Sequence, residues 1–146
     1  MRRVLALAWA LSTFLRPACA AGHLEPYNAG VFAAQQTKGA IILLQFNSSG
    51  CNVCPGQQAT LERLAQEPAE PSVQFYQANF DREEELRKLY QVNAMSTLLV
   101  FRGRNLIGRC AGLFTEDDVR SFLQKTLLHD RGRLKARPKT IFGPKR

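Results

Sequence analysis

Apolar and polar positions along the chain predict alternating helices and strands. Residues 26–37 (PYNAGVFAAQQT) have helical spacing, with Tyr27, Val31 and Ala34 on one face and Pro26 tolerated in the first turn. Lys38-Gly39 breaks that helix, and residues 40–46 are a nearly continuous apolar run, as expected of a strand buried on both faces. A polar loop at 47–50 leads into a helix from Cys51 or Asn52 to about Gln66, whose Leu61, Leu64 and Ala65 recur at i, i+3, i+4. The loop at 67–71 (EPAEP) closes it. Residues 73–80 (VQFYQANF) form a second strand, Val73 and Phe75 on one face, Tyr76, Ala78 and Phe80 on the other. A short charged helix over 81–91 offers Glu83–Arg87 and Glu84–Lys88 pairs. Residues 97–102 and 106–111 flank Gly103-Arg-Asn105 as a hairpin. Thr115-Glu-Asp-Asp118 opens a last helix that buries Val119, Phe122, Leu123 and Leu127. Residues 21–25 show no evident strand. Buried strands joined through helices imply an α/β fold, a mixed sheet covered on both faces.

Cys51-Asn-Val-Cys54 lies where the first apolar strand gives way to its helix. That position is at the carboxyl end of the sheet, where open α/β folds place their sites. A cysteine at a helix start meets unpaired backbone N–H groups and the positive end of the helix dipole, and both favour thiolate over thiol. The thiolate is the nucleophile in thiol–disulfide exchange, so the pair is a candidate redox dithiol. The expected asymmetry is an exposed Cys51 and a more buried Cys54. Cys110 sits in a strand and is expected to be a buried, inert thiol.

The net charge of +8 belongs to the ends. Residues 1–20 carry Arg2, Arg3 and Arg16, and residues 131–146 carry seven more basic residues; neither segment holds an acid, which leaves 21–130 at −2. Three segments follow: a leader at 1–20, one domain at 21–130, and a basic tail at 131–146 expected to lack a packed core. In the leader, Arg2-Arg3 precedes an apolar stretch over 4–15, and Ala18-Cys-Ala20 supplies a small-residue cleavage site. This is the pattern of a secretory signal peptide, so a periplasmic or extracellular location is expected. The alternative is a tether formed by the same segment left uncleaved. The tail could touch an acidic partner or an anionic membrane surface. Nucleic acid is not an expected partner of an exported chain.

Residues 40–128 resemble the thioredoxin family. The resemblance rests on the strand before Cys51-Asn-Val-Cys54, the helix after it, the strand ending Asn79-Phe-Asp81, then Met95-Ser-Thr-Leu-Leu-Val-Phe101, the Gly103 turn, Gly112 and a C-terminal helix. It implies a thioredoxin-like fold and a thiol–disulfide oxidoreductase acting on protein thiols and disulfides. Cys51 would attack, Cys54 would resolve, and Met95 and Ser96 would hold substrate beside them. A separate redox partner would recharge the dithiol. Several positions depart from the family pattern: Gly50 stands where Trp is usual, Gln45 where a buried Asp is usual, Ala59 where a helix-kinking Pro is common, and Ser96 where a cis-proline is expected. The Met95–Ser96 bond is then either trans in a rebuilt loop or a costly non-proline cis bond. Two thiolates with no second CxxC make a poor metal site, and no cofactor is expected. The other reading is a non-catalytic binding module with a structural Cys51–Cys54 disulfide.

Overall fold

A computed structural model describes residues 22–67 and 72–136. The elements are β1 (Leu24–Pro26), α1 (Ala29–Thr37), β2 (Ile41–Asn47), α2 (Cys54–Gln66), β3 (Val73–Asn79), α3 (Glu84–Tyr90), β4 (Thr97–Arg102), β5 (Asn105–Ala111) and α4 (Glu116–Ala136). The sheet order is β1-β3-β2-β4-β5. The first three strands run parallel, and β4 and β5 are antiparallel to their neighbours. This is the mixed, two-face-covered sheet that the sequence pattern implies.

Strand alternation splits the core in two. Ile41, Leu43, Val73, Phe75, Leu98 and Val100 pack with Leu61 and Leu64 of α2 and Val119 and Leu123 of α4. Ile42, Leu44, Phe46, Tyr76, Ala78, Leu99 and Phe101 pack on the other face with Phe32 of α1 and Leu86 of α3. Each fully buried side chain of this size contributes about 1.5–3 kcal/mol. β2 is therefore apolar at both parities, and its one polar core residue, Gln45, shares the parity of Ile41 and Leu43 that faces α2.

Several expectations need correction. β1 exists, but its three residues are half-exposed to exposed and pair only with β3, so they carry no apolar signal. Helix α1 begins at Ala29, capped by Asn28, whose side chain accepts from Gly30 and Val31 N–H at 3.0 Å. Its buried residue is Phe32, set edge-on to Tyr27, Tyr76 and Phe101, while Val31 and Ala34 face solvent. Helix α3 starts at Glu84, three residues late, because Asn79 Oδ1 holds the Asp81 and Arg82 N–H groups in a turn. Arg87 does not reach Glu83 by its side chain; its guanidinium lies 4.2 Å over the Phe80 ring, while Lys88 bonds Glu84 at 2.8 Å.

Helix α4 runs through Ala136, so residues 131–136, expected in the tail, are helical. The anchor is Asp130, buried and paired with Arg102 of β4. Residues 1–21 and 137–146 lie outside the described residues, and with them the leader and the rest of the tail.

Candidate functional site

The dithiol sits between β2 and α2. Cys51 is in the connecting loop and Cys54 is the first residue of α2, with Pro55 next. Proline suits that turn because the N–H it lacks would have no helical partner. Their sulfurs are joined in a disulfide with the Cα atoms 5.4 Å apart. The N-cap residue, Val53, has no side-chain acceptor to offer. Cys51 Sγ takes that role, accepting the Cys54 N–H at 3.1 Å. A reduced, negatively charged Cys51 would occupy the same position at the positive end of α2. Cys54 is fully buried, and Cys51 exposes 8% of its surface, less than the open thiol the sequence suggests, yet it is the sulfur that lines the groove.

The loop before Cys51 is tied down. Ser48 Oγ donates to Asp81 Oδ2 at 2.7 Å and accepts the Gly50 N–H at 3.2 Å, and the Cys51 N–H donates to Ser48 O at 3.2 Å. Gly50, at the position where the family pattern usually has Trp, lines the groove without a side chain.

Met95 and Ser96 come to this site as the resemblance implies. A groove of about 560 Å³ is lined by Gly50, Cys51, Val53, Phe80, Met95 and Ser96, among others. Met95 is exposed; Ser96 is 2% exposed. Ser96 has φ +59°, in the left-handed region. Its N–H donates to Phe46 O at 2.9 Å, and its carbonyl accepts from the Gly112 N–H at 3.2 Å. A proline could supply neither that φ nor that N–H. The loop is therefore built for serine and differs from the expected cis-proline arrangement in its hydrogen bonding as well as in its side chain.

Sequence reasoning passed over Gln57. Its carbonyl oxygen accepts from Gln45 Nε2 at 2.8 Å, and its amide donates to Leu113 O at 2.7 Å and Ser96 O at 3.3 Å. One fully buried amide thus links β2, the Ser96 loop and the segment after β5. The Gln45 oxygen accepts from Gln77 Nε2 at 3.4 Å, and Gln77 also donates to Gln58 Oε1 at 2.9 Å. The signal was available: Gln57 falls on the Cys54, Leu61, Leu64 stripe, the buried face of α2. Where a carboxylate would titrate, this core holds neutral amides.

Cys110 is outside the groove, on β5 beside Leu98. Burial pushes its thiol up to about 12, only partly opposed by a hydrogen bond from the Leu98 backbone. Cys110 is half-buried rather than fully buried as expected, and its raised thiol agrees with low reactivity.

The sequence profile of the thioredoxin family matches residues 25–125. A thioredoxin of Chlamydia pneumoniae is 27% identical over 85 residues, covering 58% of this chain and 81% of that protein. Among solved structures, Trxlp from Edwardsiella tarda superposes with a TM-score of 0.64 at 28% identity, covering 68% of this chain and 97% of the other. A thioredoxin from Trypanosoma brucei brucei gives 0.63 at 18% identity, with 78% and 99% covered, and supports the fold alone.

Proposed function

This chain belongs to the thioredoxin family and is a thiol–disulfide oxidoreductase, and from that premise we propose how its dithiol works and where. Cys51 thiolate attacks one sulfur of a protein disulfide. The substrate S–S bond breaks, a Cys51–substrate disulfide forms, and the departing substrate sulfur takes up a proton. Cys54 then attacks the Cys51 sulfur and releases the second substrate thiol. The chain ends with its Cys51–Cys54 disulfide closed, having passed two electrons to the substrate. A dithiol redox partner restores the reduced form; run backwards, the same steps oxidise a substrate dithiol.

The observation that carries these roles is the asymmetry of the pair. Cys51 borders the groove and accepts the first N–H of α2, whereas Cys54 is sealed beneath it. Substrate would lie along Met95, whose backbone N–H and C=O make no hydrogen bond among the described residues. An extended peptide can pair with such a free edge. Phe80, Val53 and the Met95 side chain give this groove an apolar lining.

The proposed setting is outside the cytoplasm. The support is the basic, apolar, small-residue pattern of residues 1–20. The described strands begin after that segment, at Leu24. The basic residues beyond 130 are proposed to contact an acidic partner or membrane surface. Salt-dependent pelleting with anionic vesicles, lost on truncation at Asp130, tests that contact.

Trapping tests the sulfur roles. Cys54→Ser is expected to accumulate mixed disulfides with protein substrates, and Cys51→Ser to form none. A Cys51→Ser protein that still turns over would overturn the assignment.

A further inference from the structure

The wall of the groove contains a hydroxyl with nothing to bind. Ser96 Oγ is buried and has no hydrogen-bond partner among the described residues. A buried, unpaired hydroxyl is unfavourable and rare in folded proteins. The Ser96 backbone is held at both ends, so the hydroxyl moves only by rotation about its own side-chain bond. The N–H is fixed to Phe46 O, and the carbonyl is fixed by Gln57 Nε2 and the Gly112 N–H. The residue adopts φ +59°, a conformation that serine occupies at a cost. Ser96 and Cys51 line the same groove.

We propose that Ser96 donates a hydrogen bond from its hydroxyl to the Cys51 thiolate once the disulfide opens. The inference rests on the redox reading of the dithiol. In the closed form Cys51 Sγ, a weak acceptor, takes the Cys54 N–H but no hydrogen bond from Ser96 Oγ. When a dithiol reductant opens the bond, two electrons enter, Cys54 takes up a proton, and Cys51 carries the negative charge. A thiolate is a strong acceptor, and a bond to an ionised group is about twice as strong as a neutral one. Ser96 therefore gains its missing partner only in the reduced state. It joins the Cys54 N–H, which already points at Cys51 Sγ. The groups that face this wall from the packed elements are Gln57 of α2, Gln45 of β2, and Gly112 and Leu113 after β5, all neutral. Asp81, after β3, is engaged by the Ser48 hydroxyl.

Two consequences follow from stabilising only the reduced form. The Cys51 thiolate persists to lower pH, and the disulfide becomes easier to reduce. The test uses the full chain with Ser96→Ala and Ser96→Gly. Glycine keeps positive φ without strain, so the pair separates the hydroxyl from the backbone. After reduction with dithiothreitol, thiolate absorbance near 240 nm and the iodoacetamide rate at Cys51 are followed against pH. Both variants are expected to move the thiolate midpoint up by about one unit. Their disulfide equilibrium against a dithiothreitol buffer should shift roughly tenfold toward the oxidised form, about 30 mV. Two variants that titrate like the parent, while all three reduce reversibly, would overturn the Ser96 role and leave the redox reading standing. A shift in Ser96→Ala alone would assign the effect to the backbone and equally overturn it. A parent whose disulfide cannot be opened reversibly would overturn this inference together with the redox reading.

Discussion

Replacing Gln57 with Leu should be among the most damaging polar substitutions in the chain. The side chains are similar in size, so packing changes little and the hydrogen bonds decide the outcome. Gln57→Leu removes the acceptor of Gln45 Nε2 and the donor to Leu113 O. Ser96 O keeps its Gly112 N–H. Two orphaned groups remain, one fully buried and one half-buried. Each buried orphan costs about 1–3 kcal/mol, and the added apolar side chain returns part of that, so the net loss should be about 2–4 kcal/mol. The check is urea unfolding with the Cys51–Cys54 disulfide closed, reading the midpoint at constant slope. The double variant Gln45→Leu/Gln57→Leu removes both ends of the central bond. It should cost less than the sum of the single variants by about 1–3 kcal/mol. Gln57→Glu adds a pH test. Ionised, it would face two carbonyl oxygens in a buried site, so its folded-state pKa lies above the usual 4.3 or so. Stability is then fully present below pH 4 and falls as pH rises toward the folded pKa, by up to about 1.4 kcal/mol per pH unit. A Gln57→Leu protein within about 0.5 kcal/mol of the parent, or strict additivity in the double variant, would refute the linking role of this amide.

Other expectations follow from single contacts. Ser96→Pro loses the N–H to Phe46 O and cannot hold φ +59°, so it should destabilise by about 2–4 kcal/mol in the same unfolding assay; a neutral effect would mean the loop readily adopts a second arrangement. Arg102→Leu leaves the buried Asp130 with Arg133, at 3.7 Å, as its one remaining ion-pair partner among the described residues and should cost about 2–4 kcal/mol, less than a fully buried pair because Arg102 is partly exposed. Hydrogen exchange in the C-terminal half of α4 should rise with it, and unchanged exchange would show that Asp130 does not anchor the helix. With the disulfide closed, Cys110 should be alkylated at pH 8 roughly a hundredfold or more slowly than a free peptide thiol, because a thiol pushed up to about 12 holds almost no thiolate there. Peptide mapping that finds Cys110 modified at an ordinary rate would contradict the raised thiol.

The sheet was legible wherever burial imposed a period. β2, β3 and β4 alternate or run continuously apolar, and the two faces assigned on β3 match the two halves of the core. β1 was not legible, because three edge residues that bury little surface leave no pattern. Phe32 was missed as the anchor of α1 because helical spacing favoured Val31, and only the surrounding aromatic rings select Phe32. The extension of α4 past residue 130 depends on a buried ion pair with β4, a contact between positions far apart in sequence. At the site, the cysteine spacing, Met95 and Ser96 could be named from motif order. The Gln45–Gln57–Leu113 link and the Ser48–Asp81 brace could not, since each joins polar residues brought together only by the fold. A glutamine on an apolar helix stripe was the one usable sign.

The most direct test of the account is a redox titration of the Cys51–Cys54 disulfide in dithiothreitol or glutathione buffers, read by thiol alkylation with the chain folded throughout. The account predicts a reversible two-electron transition at roughly −270 to −120 mV, the span of CxxC oxidoreductases. It also predicts that catalysed exchange with a protein disulfide disappears in Cys51→Ser. A disulfide that opens only when the chain unfolds, or exchange that survives Cys51→Ser, would contradict it.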